Sequence, residues 1–318
     1  MSEKNNSELF RFIDRDAISS EKITAPRYSY WRSVFRVFFR KKSNIIMIAL
    51  LVLILLGSFL LPIVWPYDQM ENVLDAKSYN LSPAAARAYY QGKDAIKWCL
   101  GTGQLGNSIM YGIWASARTS LLLAVICAAI NMTVGILVGA LWGYSKRVDA
   151  VMIVVYNIIA NVPYILLISV LVYIIGSGFW PFVFALTVTG WLGIAYFFRT
   201  QVMIIRDREY SLASRCLGTP VTRVISKNIL PFLTSVIVTL LATELPSYIS
   251  MEVFLSFIGI GLSASVPSLG RMIQQGQTAF LTYPWAFWPP VFIASAITII
   301  LYLLGQNLAD ASDPRTHM

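Results

Sequence analysis

Histidine is almost absent from this chain. The 318 residues hold one, His317, at the extreme C-terminus. That removes most metal centres and most imidazole-based acid–base chemistry. Charge is scarce as well: Asp, Glu, Lys and Arg make up 13%, against about 25% in an ordinary soluble domain. Only three cysteines occur. On the topology argued below, Cys99, Cys127 and Cys216 fall in three different compartments, so no disulfide framework is expected. No G-x-x-x-x-G-K-[ST] run exists, which excludes a P-loop and leaves any ATP to another polypeptide. H-E-x-x-H is missing too, and no apolar run holds a His or an internal Lys to activate a serine. A membrane-embedded hydrolase therefore has no nucleophile–base pair to work with.

What the chain has instead is apolar surface. Hydrophobic residues make up 57% and mean hydropathy is +0.64. A bilayer core about 30 Å thick needs about 20 apolar residues in a helix. Six runs qualify, at about 45–64, 119–143, 149–175, 181–198, 232–258 and 286–306. In lipid every backbone group must be paired within the segment, so these runs are expected to be helices. The first begins after a hydrophilic tail of about 43 residues, and no signal peptide is visible. With six spans and the N-terminus inside, 19 of the 25 Lys and Arg fall on the inner side. Arg32, Arg36, Arg40, Lys41 and Lys42 stand directly before the first span. This bias predicts that both termini are cytoplasmic. The net charge of +9 is read as that bias, not as affinity for nucleic acid.

Two polar stretches interrupt the apolar pattern. Residues 65–117 form an expected external segment with short helices. Its GTGQLG at 101–106 fits G-x-G-x-x-G, but the match stands outside the membrane just before a span. A turn leading into an external helix is expected there rather than a dinucleotide site. The other stretch is EYSLASRCLGTPVTRVISKNILP, 209–231. Asp207 is a candidate N-cap for a helix from about Arg208 to Leu217, with Gly218 as its stop. Thr219 can cap a second helix with Pro220 at its first position. Leu212 with Cys216, and Ala213 with Leu217, share faces of the first helix. Such a rod, about 15 Å long, suits docking into a partner's groove or lying on anionic lipid.

Within the runs, Gly135, Gly139 and Gly143 recur every four residues, a spacing that lets helices approach closely. The partner is either this chain or another subunit. Glu244 and Glu252 are the only carboxylates in mid-span. Each is read as lining a pore or meeting another subunit, with a structural acid near the outer end as the alternative for Glu252. Asn157 and Asn161 share a face of the third run, which Pro163 is expected to kink. Interhelical hydrogen bonding or contact with cargo are their two readings. Tyr283, Trp285 and Trp288 suit an interfacial belt at the last span.

The 209–231 stretch resembles the EAA loop of ABC-importer permeases. Leu212, Ala213, Ser214, Gly218, Leu230 and Pro231 match its positions, with Leu212 where the family carries Glu; Glu209 lies one turn earlier. LSFIGIGLSASVPSLGRMI (255–273), GQNLADASDPR (305–315), WCLGTGQLGNSIMYGIWASARTSL (98–121) and FFRKKSNIIMIALLVLILLGSFLLPIVWPYD (38–68) resemble further segments of oligopeptide and dipeptide permeases. In the external lead-in, Gly103, Asn107 and Ser108 replace residues that are usually charged. Nearly the whole chain is similar to the C-type (OppC/DppC-type) permease subunit of oligopeptide ABC importers, most of all to the Gram-positive, AmiD-like branch.

The resemblance implies an all-α integral membrane protein with the type I ABC importer permease fold in the bacterial plasma membrane. It implies no cofactor in this chain. A B-type sister permease would complete the pore, two cytoplasmic ATPase subunits would bind ATP and Mg, and an extracellular lipoprotein would deliver peptide. The coupling residues it implies are Glu209, Leu212, Ala213, Ser214, Arg215, Gly218 and Pro220. Permeases for dipeptides or nickel share these marks. An ion-coupled carrier acting alone is the more distant alternative.

Overall fold

A computed structural model describes residues 30–91, 93–278 and 280–312. His317, Arg315, the start of the N-terminal tail and the end of the C-terminal signature lie outside the described residues. No strand occurs among the described residues; a single antiparallel bridge joins Thr102 to Ser108.

Helix α1 (Tyr30–Arg40) leads after a one-residue break into α2 (Lys42–Val64), the first long apolar helix. The external segment carries a short α3 (Pro83–Tyr89), capped by the Ser82 hydroxyl. Helix α4 (Ile109–Tyr144) follows and starts well before the run expected at 119. Its cap is Ser108, whose hydroxyl accepts from Tyr111 N–H at 3.3 Å and donates to Lys97 O at 2.6 Å. Arg118, the charge that marked a boundary in the sequence, points outward from mid-helix.

The third run divides into α5 (Lys146–Ala160) and α6 (Tyr164–Ile175), bent by 79°. Pro163 sits at the break, where its missing N–H and its ring prevent a continuous helix. The fourth comprises α7 (Phe179–Thr187) and α8 (Trp191–Arg206). Then come α9 (Glu209–Cys216), one helical turn α10 (Val221–Arg223), a π turn over Val224–Ile229 and a 3-10 turn over Leu230–Leu233, which run straight into α11 (Thr234–Phe257). Leu230 N–H reaches back five residues to Ile225 O. The π and 3-10 turns surround Pro231, which cannot donate to an α-helical ladder. Helix α12 (Leu269–Gln277) and the long α13 (Pro284–Ser312) complete the described residues. Five helices are long and apolar enough to cross a membrane, or six if α5 and α6 count as one broken span.

The core lies between α4, α6, α7, α11 and α13, around Leu123, Cys127, Ile168, Phe182, Leu186, Ile249, Leu255 and Ile297. Helix α4 packs along α8 through the three glycines. A Cβ at Gly135 would stand 2.7 Å from Ile194 Cγ2, and Cβ atoms at Gly139 and Gly143 would stand 2.6 Å from the carbonyl oxygens of Ala195 and Arg199. The glycine face is therefore turned to this chain's own α8, where the absence of side chains lets the two backbones approach closely.

Candidate functional site

The interrupted stretch is a short helix standing at one end of the bundle. Helix α9 closes with a Schellman turn. Thr219 N–H donates to Ser214 O at 3.1 Å and Gly218 N–H to Arg215 O at 3.0 Å, with Gly218 at φ +74°. Only a residue tolerant of the left-handed region ends a helix this way, as the sequence led one to expect. Its start differs from the expectation. Arg208, not Asp207, is the N-cap, and no side chain caps the helix. The Asp207 carboxylate instead takes Nε and Nη2 of Arg206 at 3.0 and 3.1 Å. That guanidinium holds the exposed Asp207 carboxyl below its ordinary range. Thr219 caps nothing either; Pro220 is the N-cap of the following turn, and the second helix is a mixed α, π and 3-10 segment.

From behind, α9 is braced at several points. Arg206 is buried and donates Nη1 to Gly143 O at 2.9 Å, which joins the foot of α8 to the end of α4. The Arg215 guanidinium lies 5.7 Å from the Tyr144 ring centre, a cation–π contact. Asn228, on the π turn, donates Nδ2 to Ser214 Oγ at 2.6 Å, and Ser214 Oγ donates to Tyr210 O at 3.0 Å. The Tyr210 and Phe232 rings pack at 5.2 Å. Nearby, Asp149 accepts from Trp142 Nε1 at 2.7 Å and from Arg199 Nη2 at 2.9 Å, which fixes the start of α5 to α4 and α8. The outward side is apolar and open: Leu212, Ala213, Cys216 and Leu217 are all exposed, Leu217 at 86%. Leu212, Ala213 and Leu217 make this edge an apolar contact surface on a braced helix, with the free thiol of Cys216 its one reactive group.

A family model described as "Binding-protein-dependent transport system inner membrane component" matches residues 131–318, and one described as "N-terminal TM domain of oligopeptide transport permease C" matches 29–83. The oligopeptide transport system permease protein AmiD of Streptococcus pneumoniae is 46% identical over 98% of both chains. The dipeptide transport system permease protein DppC of Bacillus subtilis is 32% identical over 93% of this chain and 89% of its own. The oligopeptide transport system permease protein OppC of the same species is 31% identical over 96% and 97%. The chain belongs to the binding-protein-dependent transport system inner membrane components.

In this permease the remaining candidate residues part company. Glu252 departs from the pore or interface reading: its side chain is fully buried inside the subunit. Ser120 on α4 donates to its Oε2 at 2.8 Å and Ser256 to its Oε1 at 2.9 Å, and the Leu269 N–H at the start of α12 donates to Ser120 Oγ at 3.1 Å. The carboxylate is thus a clasp between α4, α11 and the start of α12. Glu244 is half-buried beside Tyr248, whose hydroxyl accepts from Asn131 Nδ2. Asn157 and Asn161 are exposed, and the Asn161 amide bonds the Asn157 carbonyl of its own helix rather than a neighbour. The structure therefore brings Ser214, Arg215 and Gly218 together in one braced unit. Asn157 and Asn161 adjoin one another at the end of α5, and they and Glu244 stand apart from that unit.

Sequence reasoning passed over Asn131, Arg206 and Asn228. Asn131, alone in an apolar run, carried a visible signal. Arg206 and Asn228 looked like ordinary members of a basic loop. The G-x-G-x-x-G match is a turn: Gly101 and Gly106 have φ of +84° and +71°, and Asn107 beside it donates to Tyr67 OH at 2.7 Å.

Proposed function

We propose that this permease is the membrane-spanning subunit of an ATP-driven oligopeptide importer and forms half of its translocation pore. The observation that carries the reading is α9, an apolar edge facing outward with Asn228 and Tyr144 bracing it from behind. The cargo class rests on relatives named for oligopeptide transport that align along nearly the whole chain.

Counting α5 and α6 as one broken span gives six crossings of the type I importer fold, with both termini cytoplasmic. Residues 1–43 then form a cytoplasmic tail and 44–64 the first span. Residues 65–117 are extracytoplasmic, 118–307 form a five-helix core carrying the coupling loop 200–230, and 308–318 are a cytoplasmic tail. The clustering of basic residues at the α9 end supports this orientation. The partners are a B-type sister permease, two ATPases that bind ATP and Mg, and an extracellular peptide-binding lipoprotein, within a lipid bilayer. The chain itself is a pore subunit and not an enzyme.

Closure of the ATPase pair displaces α9. Because α9 ends in a Schellman turn and is tied to α4, α8 and the foot of α11, the displacement passes into the spans instead of being absorbed in a loop. Glu209, Leu212, Ala213, Ser214, Arg215, Gly218 and Pro220 make up this unit. Glu244, Asn157 and Asn161 are the polar groups left to face the pore or the sister subunit. A lone ion-coupled carrier gives α9 no task.

Ser214 is turned inward, so the informative probe is a photo-crosslinker at Leu217. It should capture a P-loop ATPase in cells, with a yield that changes when ATP hydrolysis is trapped. Capture of lipid alone would sink the coupling role. Uptake of a labelled oligopeptide should persist when the membrane potential is collapsed at constant ATP; loss of uptake would restore the carrier.

A further inference from the structure

Helix α1 has three distinct faces. Val34 and Phe38 are buried against Ala311 and Leu308 near the end of α13, with Ile48 of α2 beside them. Tyr30 OH donates to Ser312 O at 2.8 Å, and Lys41 Nζ donates to Asn307 Oδ1 at 2.8 Å, so both ends of α1 are fastened to α13. The second face is aromatic. Trp31, Phe35 and Phe39 are 47%, 49% and 49% exposed. Their rings follow one another at 6.2 and 6.4 Å in a continuous ridge. The third face is Arg32, Arg36 and Arg40, at the same four-residue spacing and all exposed. No acidic residue occurs in α1, and Lys41 and Lys42 extend the positive charge to the start of α2.

We propose that α1 lies in the membrane interface. Its Trp31–Phe35–Phe39 ridge enters the acyl–headgroup boundary of an anionic leaflet, and Arg32, Arg36 and Arg40 bind the lipid phosphates. The apolar α2 begins two residues after α1, so α1 is held at the depth where that span enters the bilayer. Seen along the helix axis, the order is protein face, aromatic face, basic face. A bilayer edge presents the matching layers: acyl chain, phosphate, water. Aromatic side chains with an apolar body favour that boundary, and basic residues on the adjoining face add attraction to anionic headgroups. A ridge of three large aromatics facing water would be a costly exposed patch. The proposal rests on the membrane reading alone and not on the cargo.

The test uses the full-length permease, purified with its assembled subunits, with Cys99, Cys127 and Cys216 replaced by alanine and a nitroxide on Phe35→Cys or Arg36→Cys. The complex is placed in phosphatidylglycerol nanodiscs. Oxygen, which partitions into lipid, should relax the label at 35 several-fold more strongly than a water-soluble nickel chelate does. At 36 the order should reverse. In phosphatidylcholine discs, or with Arg32→Gln and Arg40→Gln added, the label at 35 should become more open to nickel. Phe39→Cys reads the same face should Phe35→Cys not assemble. Equal nickel access at 35 and 36 would place the ridge in water and overturn the proposal. A label at 35 closed to both reagents would mean that another subunit covers it, and identical behaviour in the two lipids would remove the anionic leaflet.

Discussion

Asn228 reaches across fourteen residues of chain to donate its amide to the Ser214 hydroxyl at 2.6 Å. This one bond links the outward helix α9 to the π turn from which the α11 span rises. A hydrogen bond of this kind contributes about 0.5–1.5 kcal/mol net. That is too little to hold the fold but enough to stiffen a lever. Asn228→Ala should therefore leave the assembled complex intact and its thermal midpoint nearly unchanged. It should lower cargo-stimulated ATP turnover several-fold, and Ser214→Ala should do the same. The double variant should be no worse than either single one, since both remove the same bond. Measuring stimulated and basal ATPase rates in proteoliposomes decides the matter: additive losses would mean that the two side chains act separately.

Gly218 can be separated from the glycines of α4 by its reason for being glycine. Nothing stands within 4 Å of a Cβ built on it, yet its φ is +74°. The demand is conformational, not spatial. Gly218→Ala should cost about 1 kcal/mol of local stability through left-handed strain, and Gly218→Asn should cost less. The readout is hydrogen exchange at Gly218 and Thr219, whose N–H groups close the Schellman turn. Equal protection in the alanine variant would show that strain does not govern this turn.

Much of this architecture could be read from the residues, for definite physical reasons. Apolar length announces a span, and Pro163 announces a bend because its ring cannot be accommodated in a continuous helix. Gly218 followed by Thr219-Pro220 announces a stop. The early start of α4 was hidden by Arg118, since a charge in a helix looks like a boundary until its outward direction is known. Helix α1 was passed over because its aromatics and arginines alternate in sequence and separate into faces only when wound at 3.6 residues per turn. The caps at 207 and 219 were misjudged because side-chain oxygens can be drawn elsewhere; Asp207 is taken by its neighbour Arg206. The Ser214–Asn228 bond and the Glu252 clasp join residues far apart in the chain, and no local pattern encodes them.

Glycines on facing helices allow a paired comparison. A Cβ at Gly139 meets Ala195 O at 2.6 Å, whereas a Cβ at Gly193, on the partner helix α8, meets nothing within 4 Å. Overpacking against backbone costs about 1–3 kcal/mol, while an unobstructed Gly→Ala in a helix gains up to about 1 kcal/mol. Gly139→Ala should lower the thermal midpoint of the detergent-solubilised complex, and Gly193→Ala should hold or raise it. A fall of equal size in both would mean that the α4–α8 approach is not what the glycines serve.

Glu252 puts the interior to the sharpest test, because a buried acceptor serves several donors at once. Removing it in Glu252→Ala leaves the hydroxyls of Ser120 and Ser256 without their shared partner in a space closed to water. Each orphaned polar group costs about 1–3 kcal/mol, so a loss of roughly 3 kcal/mol is expected. Glu252→Gln keeps one carbonyl acceptor but turns an NH2 group toward a donor, so it should lose less than alanine and more than nothing. Ser120→Ala should recover part of the Glu252→Ala loss, since it deletes one of the stranded donors. Its hydroxyl also accepts from Leu269 N–H at 3.1 Å, so the recovery should be incomplete. A clasp between α4, α11 and α12 predicts that these effects appear in unfolding and in protease resistance near residue 269, with basal ATP turnover in the surviving complex unchanged. Were Glu252→Gln instead to abolish transport while leaving stability untouched, the carboxylate would belong to the translocation path and not to the frame around it.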